Sequence, residues 1–198
     1  MIEESDIIDE VIKRSLNQRQ YAPYFHFKGD REGTELDVVS DWMRARYSNP
    51  SSAFAEIRHC PPPHDPPDVI VTATDGKLYG FEVTELVDTE TVRRAERSET
   101  GEIKEYSKDE LLSLIRHRVE MKSTKTFKTN CDRSILVIYS DEPDLCYGSG
   151  YTLLFNLFTP VNETFSEVWF MIPPAVNISG GEPHNPNCQV FPVKQVEA

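Results

Sequence analysis

Hydrophobic and polar positions are most clearly patterned in residues 66–86, where they predict two strands joined by a tight turn. A short β-branched run at 69–71 ends shortly before Asp75-Gly76, a pair typical of hairpin turns. Residues 78–86 then form the second predicted strand. We therefore expect a β-hairpin here, and the rest of the chain is interpreted around it.

Two acidic residues are placed so that this hairpin can bring them together. Because side chains alternate faces along a strand, Glu82 lies on the less apolar face, away from Phe81 and Val83. Asp68 begins the preceding strand, directly after two prolines. Two carboxylates fixed on adjacent strands are hard oxygen ligands, which suit Mg²⁺ or Mn²⁺.

Helical periodicity predicts two amphipathic helices before the hairpin. The first covers about residues 5–20, and the second is capped by Thr34 and runs from Glu35 to about Tyr47. Glu35 lies near the edge of the second helix's apolar stripe. It is either a first-turn acid favoured by the helix dipole or an acid directed toward the strands. The stripe consists of Leu36, Val39 and Met43.

A third helix is predicted after the hairpin, because Ser107 and Glu110 have the spacing of a capping box. It extends to about Lys125. Lys122 continues its apolar stripe at 3.6 residues per turn, which places a lysine where the buried face ends. That lysine either snorkels at the helix C-terminus or is directed toward the acids. The stripe consists of Leu111, Leu112, Ile115 and Val119.

Further strands complete the prediction. Two continuous apolar runs, 134–139 and 168–172, are typical of strands buried on both faces. Residues 54–57 form either a strand or a helical turn, 151–158 a short helix, and 189–193 a last, edge strand. Strands and helices in this order predict an α/β (or α+β) fold with a central mixed sheet flanked by helices.

Composition excludes several protein classes. The chain has 198 residues, 38% of them hydrophobic, which suits one soluble domain with a sizeable core. Its apolar runs are shorter than the roughly 20 residues that span a bilayer, and its acidic N-terminus is unlike a signal peptide. We expect a cytoplasmic protein without a membrane partner. The chain contains no GxSxG, HExxH, P-loop or GxGxxG motif.

Cysteines and charge narrow the chemistry further. The four cysteines are scattered, as in a reduced protein, and zinc at His59, Cys60 and His64 is disfavoured because no fourth ligand has finger-like spacing. The net charge of −12 repels nucleic acid in bulk. Residues 93–133 nevertheless carry eleven Lys and Arg against eight Asp and Glu, which indicates either a basic face or a salt-bridged, solvated helix.

The order of elements and acids resembles the PD-(D/E)xK nuclease superfamily, which has the restriction-endonuclease-like fold. Pro67-Asp68 matches the PD, Glu82-Val83-Thr84 takes the place of (D/E)xK, and Glu35 matches the acid on the preceding helix. The resemblance covers about residues 34–140, and 151–172 are consistent with added outer elements.

The resemblance implies one domain across 1–198, in three parts. Residues 1–33 would be an N-terminal helical extension and 34–140 a nuclease-like core. Residues 141–198 would supply a loop, a helix and outer strands.

The chain departs from this family at one position, where Thr84 replaces the motif lysine. In the family that lysine is thought to activate water and to stabilise charge at the phosphate, and some members carry it on a neighbouring element. Lys122 is our candidate replacement because it lies on the inward stripe of the third helix. Lys125, one turn further, is the second candidate.

The resemblance implies Mg²⁺- or Mn²⁺-dependent hydrolysis of phosphodiester bonds in nucleic acid. Asp68, Glu82 and the Val83 carbonyl would hold the metal, and Glu35 would act directly or through water. Lys122 would stabilise negative charge. Thr84 can only hydrogen-bond, so it would position a water.

Partner predictions are broader. The basic side chains of Arg93, Arg94, Arg97 and Lys125 could contact a nucleic-acid backbone, and a homodimer is possible. One alternative is a catalytically degenerate member that binds nucleic acid or protein. Another is an inhibitor-like protein whose acidic surface meets a basic partner.

Overall fold

A computed structural model describes the central part of the chain and several shorter segments. The predicted helix at 5–20 and most of the predicted helix at 151–158 fall outside these residues. The described residues are 31–64, 66–88, 93, 104–125, 127, 129–140, 142, 144–145, 153–154, 164–172 and 189–194.

The described residues contain three helices and six strands. Their order is α1 (Arg31–Arg46), α2 (Pro50–Ala53), β1 (Phe54–His59), β2 (Val69–Ala73), β3 (Leu78–Glu85), α3 (Lys108–Ser123), β4 (Arg133–Tyr139), β5 (Glu167–Ile172) and β6 (Gln189–Lys194).

All six strands join in one mixed sheet, in which spatial order equals chain order. Strands β1, β2 and β3 are antiparallel, β3, β4 and β5 are parallel, and β6 returns antiparallel to β5. The parallel step from β3 to β4 is made across α3, as expected of a crossover connection. The predicted α/β class with a mixed sheet is therefore confirmed.

The predicted hairpin is β2–β3, and its turn explains its register. Gly76 has a φ of +86°, which a glycine adopts without steric cost, and its N–H donates to the Ala73 carbonyl at 2.9 Å. Val69 consequently lies opposite Phe81. Continuing this antiparallel register by one residue brings Asp68 next to Glu82, the two acids identified from the sequence.

Both faces of the sheet are buried. On one face α1 packs through Trp42, whose ring lies 5.1 Å from that of Phe81 and 5.9 Å from that of Trp169. On the other face α3 packs through Leu111, Ile115 and Val119. Glu82 and Thr84 face α3, whereas Phe81 and Val83 face α1, as the alternation predicted.

Several predicted boundaries were wrong. Helix α1 begins at Arg31, with Glu32 in the first turn, so Thr34 is a buried residue inside the helix and not its cap. Its buried stripe also includes Val38 and Trp42, which the prediction omitted.

The structure also settles the element at 54–57 and shortens the third predicted helix. Residues 54–59 form strand β1, a choice that the sequence left open. Helix α3 begins at the predicted cap, where Ser107 Oγ accepts from the Glu110 N–H at 3.3 Å, but it ends at Ser123. None of the helices in the described ranges is long and apolar enough to cross a membrane.

Candidate functional site

Asp68 and Glu82 are brought together by the hairpin register. Asp68 directly precedes β2, Glu82 lies in the middle of β3, and their exposed fractions are 1% and 0%. The Val83 N–H donates to Asp68 Oδ2 at 2.8 Å. The backbone of one strand therefore orients the carboxylate that precedes the other.

Helix α3 and the residues that directly follow it bring two lysines to these acids. The Lys122 ammonium donates to Glu82 Oε1 at 2.7 Å and to the Val83 carbonyl at 2.9 Å, and it lies 3.9 Å from Asp68 Oδ2. Lys125 Nζ donates to the same Glu82 oxygen at 2.8 Å. Three oxygens thus surround one ammonium group where the helix stripe meets the strand.

The electrostatics of the site disfavour charge on Asp68. Burial, and next the negative charge of Glu82, raise the pKa of Asp68 from 3.8 to about 6. The Lys122 ammonium and the Val83 N–H act in the opposite direction. The structure therefore keeps two acids close together in the interior, and Lys122 offsets only part of the cost of ionising Asp68.

Thr84 lies on the same face of β3 as Glu82 and is 9% exposed. Its hydroxyl can donate and accept hydrogen bonds but carries no charge. The positive charge beside the acids comes from α3 instead, 40 residues further along the chain than Glu82.

Glu35 lies beside the acids but faces a different partner. It is 1% exposed, and its charge contributes to the raised pKa of Asp68. Its Oε2 lies 2.9 Å from His59 Nε2, a hydrogen bond in which the ring N–H donates. His59 Nδ1 lies 3.9 Å from Glu32 Oε2. The acid on α1 is thus tied to the end of β1.

This His59–Glu35 contact was missed in the sequence analysis, which considered His59 only for zinc. Recognising it required knowing that 54–59 is a strand, because the strand sets His59 opposite Val69 and close to α1. Cys60 is buried, and its N–H donates to the Asp68 carbonyl at 2.8 Å, while His64 is exposed. Within the described residues these three side chains form no metal-binding group.

The oxygens around Lys122 are candidate ligands for a divalent cation. The described ranges contain no group of three or more His, Cys, Asp or Glu side chains arranged to hold a metal. The candidate ligands are instead two carboxylates and a main-chain carbonyl. Mg²⁺ is commonly held by one or two carboxylates together with waters.

An unused oxygen supports the fit. Glu82 Oε2 is buried and has no hydrogen-bond partner among the described residues, so a carboxylate lone pair remains available. The all-oxygen set suits Mg²⁺ or Mn²⁺ and lacks the nitrogen or sulfur ligands typical of zinc. The residues present therefore fit such an ion, with the Lys122 ammonium now lying among the same oxygens.

The other basic residues predicted to contact nucleic acid are only partly described. Arg93 is exposed. Arg94 and Arg97 lie outside the described residues.

Comparison with protein-family models, curated proteins and solved structures found no match for this chain.

Proposed function

We propose that this chain is a divalent-metal-dependent nuclease with a restriction-endonuclease-like core, and that it hydrolyses phosphodiester bonds of nucleic acid. Asp68, Glu82 and the Val83 carbonyl are its metal ligands, and the ion is Mg²⁺ or Mn²⁺. Glu35 contributes through its charge or through a water. Lys122 takes the role that Thr84 cannot fill.

One observation carries this proposal. The Lys122 ammonium, from a different element, lies within hydrogen-bond distance of Glu82 Oε1 and the Val83 carbonyl and close to Asp68. A buried acid pair next to a half-buried lysine is costly for folding, since each charge loses hydration. A buried acid with a perturbed pKa beside a specific charged partner, as at Asp68, is typical of functional sites.

Each residue has a distinct part in the proposed reaction. When bound, the metal supplies Lewis acidity for phosphodiester hydrolysis. Asp68 is held in place by the Val83 N–H, so its orientation is fixed before substrate arrives. Lys122 stabilises the negative charge that develops on the phosphate, and burial of the site strengthens that interaction. The Thr84 hydroxyl positions a water by hydrogen bonding.

A degenerate binding protein is the second candidate, and it also has a supporting observation. Glu82 Oε1 already accepts hydrogen bonds from both Lys122 and Lys125, so the acid is neutralised within the chain. Together with Thr84 and a net charge of −12, this favours a nuclease fold that binds nucleic acid or protein without cleaving it.

A cleavage assay decides between the two. Supercoiled plasmid, single-stranded DNA and RNA are incubated with wild type in Mg²⁺ or Mn²⁺, and Glu82→Gln serves as the matched variant. We expect cleavage that is lost in chelator and in Glu82→Gln. Nucleic-acid binding without cleavage, unaffected by Glu82→Gln, would favour the degenerate binding protein.

The role assigned to Lys122 has its own test. Lys122→Met should abolish cleavage, and the double variant Lys122→Met/Thr84→Lys should recover part of it, because position 84 faces α3 on the same strand face as Glu82. Lys77→Met, in the exposed hairpin turn, is the control and should leave cleavage unchanged. Full cleavage by Lys122→Met would contradict the assignment.

A further inference from the structure

We propose that Lys122 is a tethered cation that holds the metal position in the metal-free protein, and that metal binding exchanges it onto the substrate phosphate. The inference rests on the proposed function, because it concerns the same acids. It adds an order of events: the divalent ion binds first and thereby creates the phosphate site.

The geometry shows why the two cations compete. The ammonium lies 2.7 Å from Glu82 Oε1 and 2.9 Å from the Val83 carbonyl. An Mg²⁺ ion lies about 2.1 Å from its oxygen ligands. An ion bound to these two oxygens would overlap the space of the ammonium group, so Lys122 must leave when the ion enters.

Charge balance gives the direction of the exchange. Asp68 and Glu82 are two acids, and Lys122 and Lys125 are two bases hydrogen-bonded or close to them. The cluster is therefore near neutrality without metal. A divalent ion adds two positive charges. By binding the Glu82 carboxylate it also releases the Lys122 ammonium group that was paired with it. A phosphodiester anion is the ligand whose negative charge matches the resulting excess of positive charge.

The two lysines differ in a way that makes the inference testable. Lys122 is 17% exposed and donates to the Val83 carbonyl as well as to Glu82. Lys125 is 38% exposed and donates to Glu82 Oε1. The exchange requires Lys122 to compete strongly with the metal ion for these oxygens and Lys125 to compete only weakly. A general effect of positive charge would make the two similar.

Mn²⁺ affinity, measured by the electron paramagnetic resonance signal of free Mn²⁺, is the principal readout. A charge-assisted hydrogen bond is worth about 1.5–3 kcal/mol, so Lys122→Met should bind Mn²⁺ about tenfold to a hundredfold more tightly than wild type. Lys125→Met should gain about fivefold or less. Equal or weaker Mn²⁺ affinity in folded Lys122→Met would overturn the exchange.

A second measurement uses the wild type alone, in case Lys122→Met fails to fold. Lysines are acetylated briefly and quantified by mass spectrometry with and without Mn²⁺. Lys122 should become several-fold more reactive with Mn²⁺, while Lys77, which is 58% exposed in the hairpin turn, should not change. Unchanged Lys122 acetylation at saturating Mn²⁺ would also overturn the exchange.

The outcomes separate the exchange from the nuclease. Tighter Mn²⁺ binding by Lys122→Met without cleavage by wild type supports the exchange and rejects the nuclease. Cleavage by wild type with no gain in Mn²⁺ affinity in Lys122→Met rejects the exchange and keeps the nuclease. Absence of Mn²⁺ binding in both proteins rejects both.

Discussion

Replacing Asp68 by Asn should stabilise the metal-free protein at neutral pH. Asp68 is buried, and its carboxyl is harder to ionise in the folded chain than in the unfolded one, since burial and Glu82 disfavour its charge. Asparagine removes that charge with little change in shape. Its side-chain carbonyl can still accept the hydrogen bond from the Val83 N–H that Asp68 Oδ2 accepts at 2.8 Å.

The sign and size of the effect follow from the pKa of Asp68. That pKa is 3.8 in the unfolded chain and is raised to about 6 on folding, so the folded protein holds the proton more tightly. The stability contributed by this group is present below pH 3.8 and is lost as pH rises through 6. Above pH 6 this difference between the unfolded and folded pKa values lowers the free energy of unfolding by about 3 kcal/mol.

Urea unfolding in chelator, at pH 4 and pH 8, measures this directly. Asp68→Asn should exceed wild type by about 3 kcal/mol at pH 8 and by much less at pH 4. In Glu82→Gln the stability of the protein should depend less on pH, because one cause of the raised Asp68 pKa is removed. An Asp68→Asn protein that is less stable than wild type at pH 8, or a difference that does not change with pH, would refute the reasoning.

Three further substitutions test the fold around the site by urea unfolding. Gly80→Ala should cost about 1–3 kcal/mol, because its new methyl would lie 2.8 Å from Cys131 Sγ, and Cys131→Ala should recover part of that loss. Ser107→Ala should cost about 1 kcal/mol through the lost cap of α3, whereas Ser107→Asp should retain most of the stability. His59→Ala should cost about 1–3 kcal/mol by removing a hydrogen-bond donor to buried Glu35, and His59→Gln should cost less. If any of the three alanine variants were as stable as wild type, the contact on which its prediction depends would be contradicted.

Elements with strong local signals could be predicted from the sequence. The β2–β3 hairpin follows from its Asp-Gly turn and its alternation, and α3 follows from its capping box and apolar stripe. The start of α1 could not be predicted in this way. Thr34 has the chemistry of a cap, but the helix continues past it because burial of Thr34 and packing of Trp42 outweigh the local preference.

The candidate site was predictable to the extent that it depends on strand alternation and helix phase. Alternation placed Glu82 on the face of β3 that meets α3, and the 3.6-residue period placed Lys122 on the inward stripe. The contact between Glu35 and His59 joins elements 24 residues apart and depends on β1, whose strand character was ambiguous. No periodicity within either segment specifies that pairing.

The same apolar patterns that fold the chain also assemble the site. A one-residue slip in the β2–β3 register would turn Glu82 toward α1 and into the core around Trp42, because side chains alternate faces. A one-residue shift of α3 would turn Lys122 by about 100° around the helix axis, away from β3. Burial of Phe81 and Val83 on one side and of Ile115 and Val119 on the other prevents both changes. The ammonium of a lysine on α3 can therefore reach the acids of the β2–β3 hairpin, because packing of the helix against the sheet fixes its location.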